Sequence, residues 1–142
     1  MLVKMTIIIK RSDLNKIIEH SRRVFPIEAC GILLGTKKKG PKIVVMVFPA
    51  RNILESEISY QINPQDQLDI FMKADELSLE VLGYYHSHPN WRAQPSETDK
   101  QRANQPSSSH LIYSNVDDEV RSFQWDGIEF TAEELKVQQN NT

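Results

Sequence analysis

Val81-Leu82-Gly83-Tyr84-Tyr85-His86-Ser87-His88-Pro89 reads as a β-strand by its Val-Leu-Gly-Tyr-Tyr content, closed by a proline that cannot donate to a ladder. Side chains two apart on a strand share a face, so His86 and His88 can converge on one point beyond the strand's end. That is a metal-ligand arrangement, although an isolated H-x-H also suits two surface histidines. Downstream, a Pro/Gln/Asn-containing loop leads to a short helix at residues 96–103, and strands at 111–114 and 120–125 finish the core.

Upstream, the β-branched run at residues 5–10 predicts a first strand. A helix follows, capped by Ser12 or Asp13, with an apolar stripe of Leu14, Ile17, Ile18, Val24 and Phe25 that ends before Pro26. Residues 27–35 and 43–48 read as a hairpin broken at Lys37-Lys38-Lys39-Gly40-Pro41. A short extended piece at 58–62 precedes a helix that starts at Asn63-Pro64 and runs to about Leu79. Strands alternating with helices predict a layered α/β domain.

The chain has 142 residues, 39% hydrophobic and 25% charged, which suits one domain. Residues 1–137 are expected to form it, with 138–142 as a flexible tail. A formal charge of -2 lacks the basic excess that drives phosphate-backbone binding, so nucleic acid is not the expected partner. The early apolar stretch at residues 6–9 is far short of the roughly 20 residues of a membrane span, which places the protein in the cytoplasm. The single cysteine, Cys30, excludes an intrachain disulfide and a multi-thiolate zinc site. A metal here needs imidazole and carboxylate ligands.

Asp99 lies eleven residues after His88, one turn into the predicted helix, where a chain reversing at Pro89 and Pro95 could return its carboxylate to the histidines. Two imidazoles and a carboxylate leave one position of a tetrahedral zinc open, the catalytic pattern. Ser96-Glu97-Thr98-Asp99 is equally a capping box, which would explain Ser96 and Asp99 without chemistry. Glu28 shares a predicted strand face with Cys30, Ile32 and Leu34, and a carboxylate on an apolar face needs a partner or a task unless it escapes to solvent beside Pro26.

Together, Glu28, the stretch Gly83-Tyr84-Tyr85-His86-Ser87-His88-Pro89 and Pro95-Ser96-Glu97-Thr98-Asp99 resemble the signature of the JAMM (MPN-plus) metallopeptidases. The resemblance runs from about Ile7 to Trp125 and includes P-x-E-x-C-G-x-L-L-G at residues 26–35. It implies a curved mixed β-sheet flanked by helices, similar to cytidine deaminases. It also implies one catalytic zinc on His86, His88 and Asp99, Glu28 as general base and proton donor, and Ser96 as the oxyanion donor. The implied activity is that of a zinc-dependent isopeptidase cleaving after the C-terminal Gly-Gly of ubiquitin or a ubiquitin-like protein. The chain looks like the minimal archaeal and bacterial members, lacking the longer insertions of eukaryotic deubiquitinases. C-terminal processing of a sulfur-carrier protein is the alternative, and a non-catalytic MPN scaffold is the rival of another class.

Trp91, in the loop between the ligands, is a candidate contact for an extended substrate tail or a packing residue under the loop. Cys30 is expected in the core, His20 and His110 as structural or exposed residues, and the three lysines as a solvated turn. The sequence carries no signal for oligomeric state.

Overall fold

A computed structural model describes residues 5–37 and 40–140. Its elements in chain order are β1 (Thr6–Lys10), α1 (Arg11–Val24), β2 (Cys30–Thr36), β3 (Lys42–Ala50), α2 (Pro64–Leu77), β4 (Glu80–His88), α3 (Glu97–Arg102), β5 (Ser109–Ser114), β6 (Glu119–Trp125) and β7 (Phe130–Gln138). The strands lie in the order β1-β3-β2-β4-β5-β6-β7, and β7 pairs in parallel with β1 to close the sheet. The β1–β3 and β4–β5 pairs are also parallel, and the remaining neighbours are antiparallel. The expected α/β class and curved mixed sheet are therefore present.

Two irregularities help to bend the sheet. The register of β2 slips between Leu33 and Leu34 against β4, and between Leu34 and Gly35 against β3, where an extra residue increases local twist. At Gly83 the backbone of β4 runs so close to the Ser109 carbonyl of β5 that a Cβ would not fit.

The alternation read in β2 separates two cores. Leu33 faces a cluster with Ile7, Ile9, Val44, Tyr85 and Leu111, closed by Leu14 and Ile17 of α1. Cys30, Ile32 and Leu34 face the other way, against Ile62 and the α2 residues Ile70 and Ala74. The histidine-bearing end of β4 opens on this second side. Its Tyr84 packs against the α2 cluster, whereas Tyr85 belongs to the α1 cluster.

Several expected boundaries differ. Helix α1 begins at Arg11 directly out of β1, and neither Ser12 nor Asp13 caps it; the Ser12 N–H donates instead to Asn140 Oδ1 at 2.9 Å. Strand β2 starts at Cys30, so residues 27–29 are a connector, entered by a turn bond from Ile27 N to Val24 O. Strand β7 was not anticipated. Its inward positions are Glu133, Leu135 and Val137, and a glutamate in that series hides the period-2 signal. The Glu133 carboxylate accepts from Ser122 Oγ at 2.8 Å and lies 3.9 Å from the buried Lys42 Nζ.

The lysine turn falls partly outside the described residues, at Lys38 and Lys39, as do Asn141 and Thr142 of the expected tail. Among the described residues, no helix is long and apolar enough to cross a membrane.

Candidate metal centre

Helix α3 sets the position of Asp99. Ser96 is its N-cap, with Ser96 Oγ accepting from Asp99 N at 3.0 Å and Ser96 N donating to Asp99 Oδ2 at 2.9 Å. The capping box is therefore formed, and it aims the same carboxylate at the histidines. Asp99 Oδ2 lies 3.2 Å from His86 Nε2 and 3.1 Å from His88 Nε2, and the two Nε2 atoms are 3.1 Å apart. One oxygen thus makes the capping bond and also faces both imidazoles.

These three atoms fit a metal ion. Ligands about 2.0–2.2 Å from a tetrahedral ion are separated by roughly 3.3–3.6 Å, within a few tenths of the observed spacing. The protonation pattern agrees. His88 Nδ1 lies 2.8 Å from the Arg92 carbonyl, which can only accept, so Nδ1 carries the proton and Nε2 keeps its lone pair for a ligand bond. Among the described residues, these are the group of His, Cys, Asp or Glu side chains close enough to hold an ion.

The surroundings are buried. His86 is 1% exposed, its ring stacks on Tyr60 at 4.8 Å, and its Nδ1 has no hydrogen-bond partner. Burial opposes ionisation of Asp99, but its contacts with the two imidazoles, His86 above all, and with the Ser96 N–H outweigh it and hold the carboxyl well below its ordinary range.

Glu28 reaches the same place from another element. Cys30 of β2 pairs with His86, and one step beyond, Ser87 N donates to Ala29 O at 3.1 Å, so Glu28 comes alongside His88. Its backbone is tied on both sides: Glu28 N donates to Ser56 O at 2.9 Å, and its carbonyl accepts from Asn52 Nδ2 at 3.1 Å. The side chain is 3% exposed, and Oε1 is unpartnered. Burial, then the Asp99 charge, push the carboxyl up to about 9, opposed by Arg102. The escape to solvent beside Pro26 does not occur.

Trp91 is 41% exposed, with its ring 5.0 Å from that of His88 and the Arg92 guanidinium over it at 5.5 Å. It both covers a ligand and faces solvent. Cys30 is fully buried, and burial, then Glu28, push its thiol up to about 12, so it is no nucleophile. His20 is buried against Tyr85, with Nδ1 2.6 Å from the phenol oxygen.

Tyr60 and Arg102 beside the centre were not singled out from the sequence, and His110 was expected only as a structural or exposed residue. Tyr60, Arg102 and His110 line a small cavity with His86 and Asp99. Arg102 follows Asp99 by three residues on α3, a spacing that was available in the sequence. Tyr60 and His110 arrive through tertiary folding and carry no local signal.

Residues 10–126 match the family of prokaryotic homologs of the JAB domain. The chain is 30% identical over 129 residues to a desampylase of Haloferax volcanii, covering 87% of this chain and 91% of that protein. It is 31% identical over 121 residues to a CysO-cysteine peptidase of Mycobacterium tuberculosis, covering 82% of each. The solution structure of a protein from Desulfitobacterium hafniense superimposes with a TM-score of 0.87 at 29% identity, covering 94% of both chains.

Proposed function

The chain belongs to the prokaryotic JAB family and is a JAMM-type peptidase, and from that premise we propose that it is a zinc-dependent enzyme cleaving after the C-terminal Gly-Gly of a ubiquitin-like or sulfur-carrier protein. The observation that carries this reading is the meeting of His86 Nε2, His88 Nε2 and Asp99 Oδ2 within 3.2 Å of one another, beside a buried carboxyl with a free oxygen. The substrate class is proposed from the relatives, a desampylase and a CysO-cysteine peptidase.

His86, His88 and Asp99 would hold the ion. Zinc there supplies Lewis acidity and makes water a stronger acid. Glu28, whose carboxyl burial and the Asp99 charge push up, would be drawn back toward ionisation by a bound cation, and its uncommitted Oε1 would then take a proton from water and pass it to the leaving amine. Ser96 Oγ already accepts from Asp99 N, so its own hydrogen is free to be donated to the oxyanion that forms at the scissile carbonyl. Trp91, half exposed beside His88, contacts the substrate tail. Glycines suit that tail, because a backbone without side chains can pass closely over a recessed site.

The test uses a Gly-Gly-terminated ubiquitin-like protein extended past its Gly-Gly, with zinc-loaded enzyme. Wild-type protein is expected to hold one zinc per chain and to cleave, and Glu28→Gln is expected to hold the zinc and lose cleavage. A Glu28→Gln protein as active as wild type, or a wild type that takes up no zinc, overturns the reading.

A further inference from the structure

The metal centre opens sideways into a larger groove. The small cavity that touches His86 and Asp99, about 30 Å³, shares Tyr60, Arg102, Ala103 and His110 with a neighbouring cavity of about 280 Å³. The shared residues form a continuous lining, so a substrate with its reacting bond over Asp99 has one flank in the groove.

The groove is chemically distinctive. Beyond the shared residues it is lined by Gln61, Gln67, Asn104 and Gln105, together with Ile62, Tyr84 and Ser108. The cation in it is Arg102, whose only described hydrogen bond is a 3.4 Å contact from Nη1 to the Tyr60 carbonyl. No described ion pair engages it. Of its five N–H donors one makes that described contact, which leaves the planar fork able to bind a carboxylate in bidentate fashion. Arg102 lies one turn along α3 from Asp99, a backbone rise of ~4.5 Å, and both side chains line the small cavity.

A Gly-Gly tail has no side chain to fill such a space and no charge to meet Arg102. A single amino acid on the other side of the scissile bond has both. We propose that this groove is the subsite for the released amino acid, with Arg102 binding its free α-carboxylate and the carboxamides facing its side chain and backbone. The inference rests on the peptidase reading above and narrows it, making the favoured substrate a carrier protein extended by one residue rather than one joined to a lysine side chain. Hydrolysis breaks the C–N bond after the second glycine. The hydroxyl of water goes to the glycine carbonyl carbon, and its proton goes to the amine of the departing amino acid.

The experiment uses full-length protein and a Gly-Gly-terminated ubiquitin-like protein extended by one alanine, prepared either with a free carboxylate or as the carboxamide. Turnover by the zinc-loaded wild type is expected to favour the acid at least tenfold in kcat/KM, mainly through KM. Arg102→Ala is expected to remove that preference, and Arg102→Lys to restore part of it. Binding of both substrates to Glu28→Gln protein, measured by calorimetry, decides the subsite independently of turnover. Tighter binding of the acid, lost in the Glu28→Gln/Arg102→Ala double variant, supports it. Equal binding of acid and amide overturns it, as does an Arg102→Ala variant that weakens both alike. Absence of turnover together with a clear binding preference would count against the peptidase reading while upholding the subsite.

Discussion

The Ser87 hydroxyl accepts the backbone N–H of Ala29 at 2.8 Å, and Ser87 N donates back to the Ala29 carbonyl at 3.1 Å. Ser87 points away from the histidines that flank it, yet this pair of bonds sets the connector that carries Glu28. Ser87→Ala leaves a buried N–H unpaired, at a cost of about 1–3 kcal/mol. With Glu28 less well placed, kcat is expected to fall by roughly tenfold or more, since small misplacements near reacting groups are costly. Zinc stoichiometry should be unchanged. Steady-state kinetics with metal analysis separates this outcome from simple loss of the site.

Asp99 joins the capping box to the ligand set, so its two contributions can be separated. Asp99→Asn keeps an oxygen that can accept from Ser96 N but removes the anionic ligand. Helix α3 should persist while zinc affinity drops by well over tenfold. In wild type, zinc at a hundredfold its Kd should stabilise the fold by about 2.7 kcal/mol. Thermal unfolding with and without zinc is expected to show this shift in wild type and to lose most of it in Asp99→Asn.

His20 gives the fold a pH dependence of definite sign. Burial, then the Arg23 charge, bring its pKa from 6.5 down to about 4. Between those values the unfolded chain binds a proton that the folded chain refuses, so stability is full above the unfolded pKa and declines as pH falls toward the folded one. From pH 7 to pH 5 the loss from His20 is about 2 kcal/mol. His110, lowered to about 3 by burial and then by the His86 charge, acts with the same sign. Urea unfolding at the two pH values measures the slope, and His20→Gln should reduce it.

The closing strand depends on a buried charge pair. Lys42 Nζ donates to the Ser107 carbonyl and to Ser109 Oγ and lies 3.9 Å from Glu133 Oε2, with both side chains nearly fully buried. Glu133→Ala leaves the Lys42 charge uncompensated and is expected to destabilise the fold by about 3–5 kcal/mol. Equilibrium denaturation reads this directly. A loss below about 1 kcal/mol would show that the pair is dispensable for closing β7 onto the sheet.

Much of the centre was readable from short spacings. His86 and His88 share a face because strand side chains alternate, and Asp99 falls in the first turn of a helix whose N-cap, Ser96, is written in the sequence. Helix α2 was equally legible from Asn63, whose side chain caps it, and Pro64 at its start. Strand β7 was not, because Glu133 occupies an inward position and becomes tolerable there only when Lys42 and Ser122 arrive from β3 and β6.

Residue types and local periodicity were enough to establish the α/β class, the two imidazoles, the capped carboxylate and the candidacy of Glu28. They could not place Glu28, because its distance from His88 depends on a strand register that spacing along the chain does not encode. Nor could they distinguish Asp99 as cap from Asp99 as ligand, since either reading fits the same four residues. Folding brings β2, β4 and α3 to one end of a sheet, where a single oxygen serves the helix and faces the histidines. The groove beside them, with Tyr60, Arg102 and His110 drawn from three separate stretches of chain, exists only at that level.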